Sequence, residues 1–102
     1  MGGPDKEFKK MMITIKAFAS LRTIMASETR LELNPCSTIT DLLDKLETLY
    51  PGLSHEVYSG PGVLTPLVNI LVNGRNIRHL DHIQTHLVEG DLVAIFPPAA
   101  GG

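Results

Sequence analysis
Leu92-Val93-Ala94-Ile95-Phe96-Pro97-Pro98-Ala99-Ala100-Gly101-Gly102 is the stretch on which the reading of this chain turns. Residues 92–96 are an apolar run of strand length that follows the turn signal Glu89-Gly90-Asp91. Pro97-Pro98 stops the strand, because proline cannot donate to a sheet ladder. Only alanine and glycine come after, and they bury too little to pack as an element of their own. Paired prolines favour an extended backbone, so the tail is expected to project. Six residues at ~3.3 Å each reach roughly 20 Å, enough to carry a terminal carboxylate into a site inside another protein. Gly101 and Gly102 have no Cβ, so a narrow channel can close on their backbone and a nucleophile can approach the carbonyl. The plain alternative is a frayed terminus without function.

Upstream, the periodicities supply a scaffold for that strand. Ile13, Ile15 and Ala17 alternate with Thr14, Lys16 and Phe18. Leu31 and Leu33 alternate with Arg30, Glu32 and Asn34. Both patterns are those of a half-buried strand. The connection over residues 20–28 is too long for a tight turn, and Leu21, Ile24 and Met25 are expected to cap one end of the core. After Pro35, the residues Ile39, Leu42, Leu43, Leu46, Leu49 and Tyr50 form an apolar stripe at helical spacing. Thr38 is placed as N-cap, Asp41 completes an acidic capping box, and Pro51-Gly52 ends the helix. Residues 53–66, with Gly60-Pro61-Gly62, read as a surface loop under which Leu53, Val57 or Val63 is tucked. Val68, Ile70 and Val72 alternate again, and Asn73-Gly74 predicts a hairpin with a short return strand over residues 75–77. Leu80, Ile83 and Leu87 are spaced for a helical turn or a loop held against the core.

The bulk composition excludes several classes. A chain of 102 residues with 43% apolar content can build one modest core. Nine Lys and Arg against eleven Asp and Glu give a net charge of −2 with no basic stripe, which argues against nucleic acid. No apolar stretch approaches a membrane span, and the single Cys36 makes no internal disulfide, so a reducing, cytoplasmic setting is expected. Residues 1–11 read as a disordered lead-in or vector remnant, and Lys6 argues against myristoylation at Gly2. His79, His82 and His86, with Asp81 between them, would share a face on a helix, but the segment reads as a solvated loop and no metal is expected. Cys36 reads as a small packed side chain without a role.

A free carboxylate is a poor electrophile. A partner must activate it, most simply as an acyl-adenylate made from ATP, after which a sulfur nucleophile leaves a thiocarboxylate. That group is ionised at neutral pH and nucleophilic, as a thiolate is.

The run from Gly90-Asp91 to Gly101-Gly102, with Tyr50-Pro51-Gly52-Leu53 and residues 66–75, resembles the ubiquitin-like sulfur carriers of the MoaD/ThiS family. The Phe96-Pro97-Pro98 step is more similar to the MoaD branch, the small subunits of molybdopterin synthase, than to the ThiS branch. The resemblance implies an α+β, ubiquitin-like β-grasp fold: a mixed sheet of four to five strands, its first and last strands parallel at the centre, with one main helix across one face. It implies a β-grasp domain over residues 12–96 and a flexible reactive tail over residues 97–102. By the same resemblance the chain is no enzyme and has no catalytic residue or bound cofactor. Gly102 is adenylated with ATP and thiocarboxylated, while Gly101, Ala100, Ala99, Pro98 and Pro97 thread into partners. The implied partners are a MoeB-like adenylating enzyme, a sulfur donor protein and a MoaE-like large subunit, for molybdopterin. The alternatives are a modifier joined to lysines through Gly102, or a carrier serving thiamin or another thiolated product. If Val93 and Ile95 face the helix, Ala94 and Phe96 lie on the outer face as partner contacts; the opposite register would bury Phe96.

Overall fold
The computed structural model describes residues 9–98. Its main sheet has five strands in the order β2-β1-β7-β5-β6, where β1 is Met11–Ala17, β2 Glu28–Leu33, β5 Asn69–Val72, β6 Arg75–Asn76 and β7 Leu92–Phe96. A separate hairpin joins β3, Tyr58–Gly60, to β4, Val63–Leu64. The long helix α1 is Ile39–Leu49 and a single-turn helix α2 is Leu53–Val57.

As expected for a β-grasp, β1 and β7 run parallel at the centre, while β2 pairs with β1 and β5 with β7 antiparallel. Ile13, Ile15, Ile70, Val93 and Ile95 are fully buried on the face covered by Ile39, Leu42, Leu43 and Leu46 of α1. Leu21 and Met25 close one end of this core, as their spacing predicts.

The start of α1 is fixed locally. Thr38 Oγ1 accepts from the Asp41 N–H at 3.3 Å and Asp41 Oδ2 accepts from the Thr38 N–H at 2.9 Å, so the acidic capping box is present. Leu49 departs from the predicted stripe and is 48% exposed. At 100° per residue it lies about 80° from the stripe's centre, and Tyr50, nearer that centre, packs against the core instead.

Residues 53–66 hold more structure than the expected loop. Gly52, at φ 103°, turns the chain, and the Glu47 carboxylate accepts from the N–H groups of Gly52 at 3.0 Å and Ser54 at 2.8 Å. That bridge seats α2, whose Leu53 and Val57 are buried one turn apart. Pro61-Gly62 then makes the tip of a hairpin in which Leu64 is buried and Val63 points to solvent, a shift of one residue from the expectation. Met11 also corrects the sequence reading. It opens β1 opposite Leu33 and is buried, so the sheet begins inside the expected lead-in. Lys9 and Lys10 are exposed, and residues 1–8 lie outside the described residues.

Asn73 and Gly74 both take positive φ, the type I′ geometry that this pair favours between β5 and β6. The return strand is one residue shorter than predicted, because Ile77 begins a 3-10 turn and enters the core. No helix among the described residues is long and apolar enough to cross a membrane.

Two outcomes follow for stability. Thr38→Ala should lower the unfolding free energy by about 1 kcal/mol in urea titrations, with Thr38→Ser restoring most of it. Glu47 is held below the usual carboxylate range by the Ser54 and Gly52 N–H groups. Its folded pKa is therefore below its unfolded one, so its contribution is complete above the ordinary glutamate range and lost as pH falls through the depressed value. Carbon-detected titration should show Glu47 titrating low, and Glu47→Gln should flatten the acid limb of stability against pH.

Candidate functional site
The register of β7 decides what stands at the foot of the tail. Val93 and Ile95 are buried against the helix side, so Leu92, Ala94 and Phe96 lie on the opposite face. Of the two registers open to the sequence, the structure takes the one with Phe96 outward. Ala94 is half-buried between Lys16 of β1 and Leu71 of β5.

Phe96 is not alone there. Ala17 pairs with Ile95, so the next residues, Phe18 and Phe96, emerge side by side at the end of the parallel ladder. Their rings stack with centroids 4.4 Å apart and planes 9° from parallel. The Phe18 N–H donates to the Ile95 carbonyl at 3.2 Å, which fixes the backbone beneath the stack. Arg22, on the 3-10 turn Ala19–Thr23, places its guanidinium carbon 5.9 Å from the Phe18 ring centroid. Its Nε donates to the Ala17 carbonyl at 3.2 Å. The result is a layered foot of Arg22, Phe18 and Phe96 at the point where Pro97 leaves the sheet.

This foot belongs to a longer outer face. Met12 and Leu92 remain 38% and 37% exposed, Leu71, Ala94, Phe18 and Phe96 are half-buried, and Lys16 is exposed beside them. Singly exposed apolar residues are ordinary, but a run of them on one face is the usual mark of a docking surface. Pro97 and Pro98 are half-buried, whereas Ala99, Ala100, Gly101 and Gly102 lie outside the described residues.

The other sequence candidates do not converge on this place. His79, His82 and His86 are exposed and fall on or after two separate 3-10 turns, with His82 at φ 55°, so their helical spacing never becomes one face. Among the described residues, no group of three His, Cys, Asp or Glu side chains is placed to hold a metal. Cys36 is exposed rather than packed, because the turn from β2 to α1 puts it at φ 68°. It borders a recess with Lys10, Glu32, Asn34, Asp41 and Lys45, at the opposite end of β1 from Phe96.

Phe18, Arg22 and Leu71 escaped the sequence reading of the site. Phe18 did fall in the outward phase of β1, but only the parallel pairing of distant strands brings it to Phe96. Coupling across the stack should be measurable: a double-mutant cycle of Phe18→Leu and Phe96→Leu is expected to give about 0.5–1.5 kcal/mol in thermal unfolding.

Set against known proteins, the chain matches the model of the ThiS family over residues 15–102. Small archaeal modifier protein 3 of Haloferax volcanii is 37% identical over 93 residues, 90% of this chain and all of that one. The sulfur carrier protein CysO of Mycobacterium tuberculosis is 37% identical over 67 residues, 64% of this chain and 72% of its own. The solution structure of small archaeal modifier protein 1 from Methanosarcina acetivorans superposes with a TM-score of 0.78 at 32% identity, covering 92% of this chain and 99% of that one.

Proposed function
The chain belongs to the ThiS family, and from that premise we propose that it is a sulfur carrier whose working group is the Gly102 carboxyl, with the sheet face around Phe96 as its docking surface. The observation that carries this reading is the position of Phe96. A residue in the central strand pair, stacked on Phe18, leads directly into Pro97-Pro98 and then into a segment with no side chain larger than a methyl.

The chemistry follows from that arrangement. A carboxylate oxygen of Gly102 attacks the α-phosphorus of ATP in an adenylating partner and pyrophosphate leaves. Hydrosulfide-level sulfur from a donor protein then adds to the acyl carbon and displaces AMP, giving a thiocarboxylate. In a second enzyme the thiocarboxylate sulfur attacks the acceptor and displaces its leaving group, and water then attacks the acyl carbon, cleaves the C–S bond and returns the carboxylate with the sulfur left on the product. The carrier contributes position: a defined foot leaves few residues to order when the tail enters a partner, which lowers the entropic cost of binding. Lys16 and Arg22 border the apolar strip and favour partners with acidic rims. The adenylating partner is MoeB-like in this proposal, ATP is its cosubstrate, and the compartment is the reducing cytoplasm.

For the sulfur's destination, the Phe96-Pro97-Pro98 step supports molybdopterin, with a MoaE-like large subunit as acceptor. A second reading has its own support. The relative matched over its whole length is named a modifier, and the same activated Gly102 could be captured by a lysine amine instead of sulfur.

Mass spectrometry of protein from its native cells separates the two. Exchange of one terminal oxygen for sulfur is expected for the carrier, whereas an isopeptide bond from Gly102 to lysine would establish the modifier. Deleting Gly102, or appending a bulky residue after it, should reduce adenylation by the cognate enzyme to background. Normal adenylation of either variant would overturn both readings. Phe96→Arg should weaken partner binding at least about tenfold while leaving Gly102 intact, as expected for a central interface residue.

A further inference from the structure
Among the described residues, the sheet has one long open edge. β2 is its outermost strand and carries six residues, whereas β6 at the other side has two. The hydrogen-bonding phase of β2 follows from the bonds around β1. The N–H groups of Thr14 and Phe18 go to β7, and that of Ala17 goes to Ser27. Odd-numbered residues of β1 therefore bond β2, in the register Ile13 to Leu31 and Ile15 to Thr29. Along β2 it is Thr29, Leu31 and Leu33 that face β1, and Glu28, Arg30 and Glu32 that turn their backbone N–H and C=O outward.

Those same three residues carry the exposed charges of the strand. Glu28 and Arg30 make one intrachain contact, 3.7 Å, with side chains 46% and 70% exposed, a pairing of little strength. An edge of a single sign would repel every copy of itself. This edge alternates negative, positive, negative, so its self-pairing depends on register.

We propose that β2 is a self-association edge, on which two copies join antiparallel about a two-fold axis beside Leu31. In that register Arg30 of each copy faces Glu32 of the other, and Glu28 faces Asn34. On the helix side Leu31 meets Leu31 and Thr29 meets Leu33, so each leucine has a leucine or a threonine opposite it where the strand borders the core. Moving the axis one residue to Arg30 sets Arg30 against Arg30 and Glu28 against Glu32, three like-charge contacts. An axis beside Thr29 keeps two Glu28–Arg30 contacts but sets Leu31 against Ser27. Charge and apolar matching together select the Leu31 axis. The two sheets then become one of ten strands. Each β7 lies two strands in from the seam, and because the copies are antiparallel their tails leave at opposite ends. The dimer does not depend on the sulfur-carrier reading, and neither fails with the other.

Sedimentation velocity on the full chain, from micromolar to millimolar protein, should show a monomer–dimer equilibrium that weakens with added salt. Arg30→Glu and Glu32→Arg should each raise the dissociation constant at least about tenfold, and the double swap R30E/E32R should return it to near the original value. Should a single variant fail to fold, hydrogen exchange on the unaltered chain decides instead, with concentration-dependent protection expected at the amides of Arg30, Glu32 and Asn34. A chain that stays monomeric throughout, a double swap that fails to restore association, or protection confined to other strands would overturn the proposal.

Discussion
The structure depends on one pairing, the parallel ladder between the first and last strands. β7 has a partner on each side, β1 in parallel and β5 antiparallel, so it is held as an interior strand of the sheet. Its beginning is held as firmly as its end. The buried Asp91 carboxylate accepts from Asn73 Nδ2 and from the Val88 N–H, both at 2.8 Å, and Asn73 Oδ1 accepts from the Leu92 N–H at 2.9 Å. Asn73 thus serves twice, once by taking the positive φ of a turn and once by tying that turn to the start of β7. A buried carboxylate left without such partners would be costly, so the two bonds to its oxygens also explain why Asp91 is tolerated there.

From that ladder the two faces of the sheet acquire different duties. A strand has a period of two, so burying Val93 and Ile95 under α1 sends Ala94 and Phe96 to the other side without further choice. α1 covers only the first side. Apolar positions on the second side are left to one another, and Phe18 and Phe96 respond by stacking, with Arg22 laid against the pair. The aromatic foot is therefore a consequence of having one long helix for a five-stranded sheet.

Much of this was legible before any coordinates. The strand periods of residues 13–17 and 68–72, the capping box at Thr38 and Asp41, and the Asn73-Gly74 turn are local signals, and local signals fix local structure. What the sequence hid is of two kinds. α2 and the β3–β4 hairpin are too short for periodicity to register, and the seating of α2 rests on Glu47, whose carboxylate reaches N–H groups five and seven residues ahead. The partnership of Phe18 with Phe96 spans most of the chain, and no spacing rule reaches that far. The alternation did narrow Phe96 to two registers, and packing chose between them. Cys36 failed for a third reason: its side-chain character suggested burial, but a left-handed turn overrode that preference.

The division of labour along the chain can be argued from stiffness. Delivery of a reactive carboxyl to a buried site benefits when few torsions remain to be fixed on entry, since each ordered residue costs about 1–2 kcal/mol in conformational entropy. β7 is ordered already by the sheet up to Phe96, and Pro97 and Pro98 each have φ locked by their rings. Residues 99–102 carry no side chain larger than a methyl, which in the proposed reading suits a narrow channel. In the proposed reading the strand before Pro97 sets the direction in which the tail leaves, because β7 is paired on both sides and cannot move independently of the core.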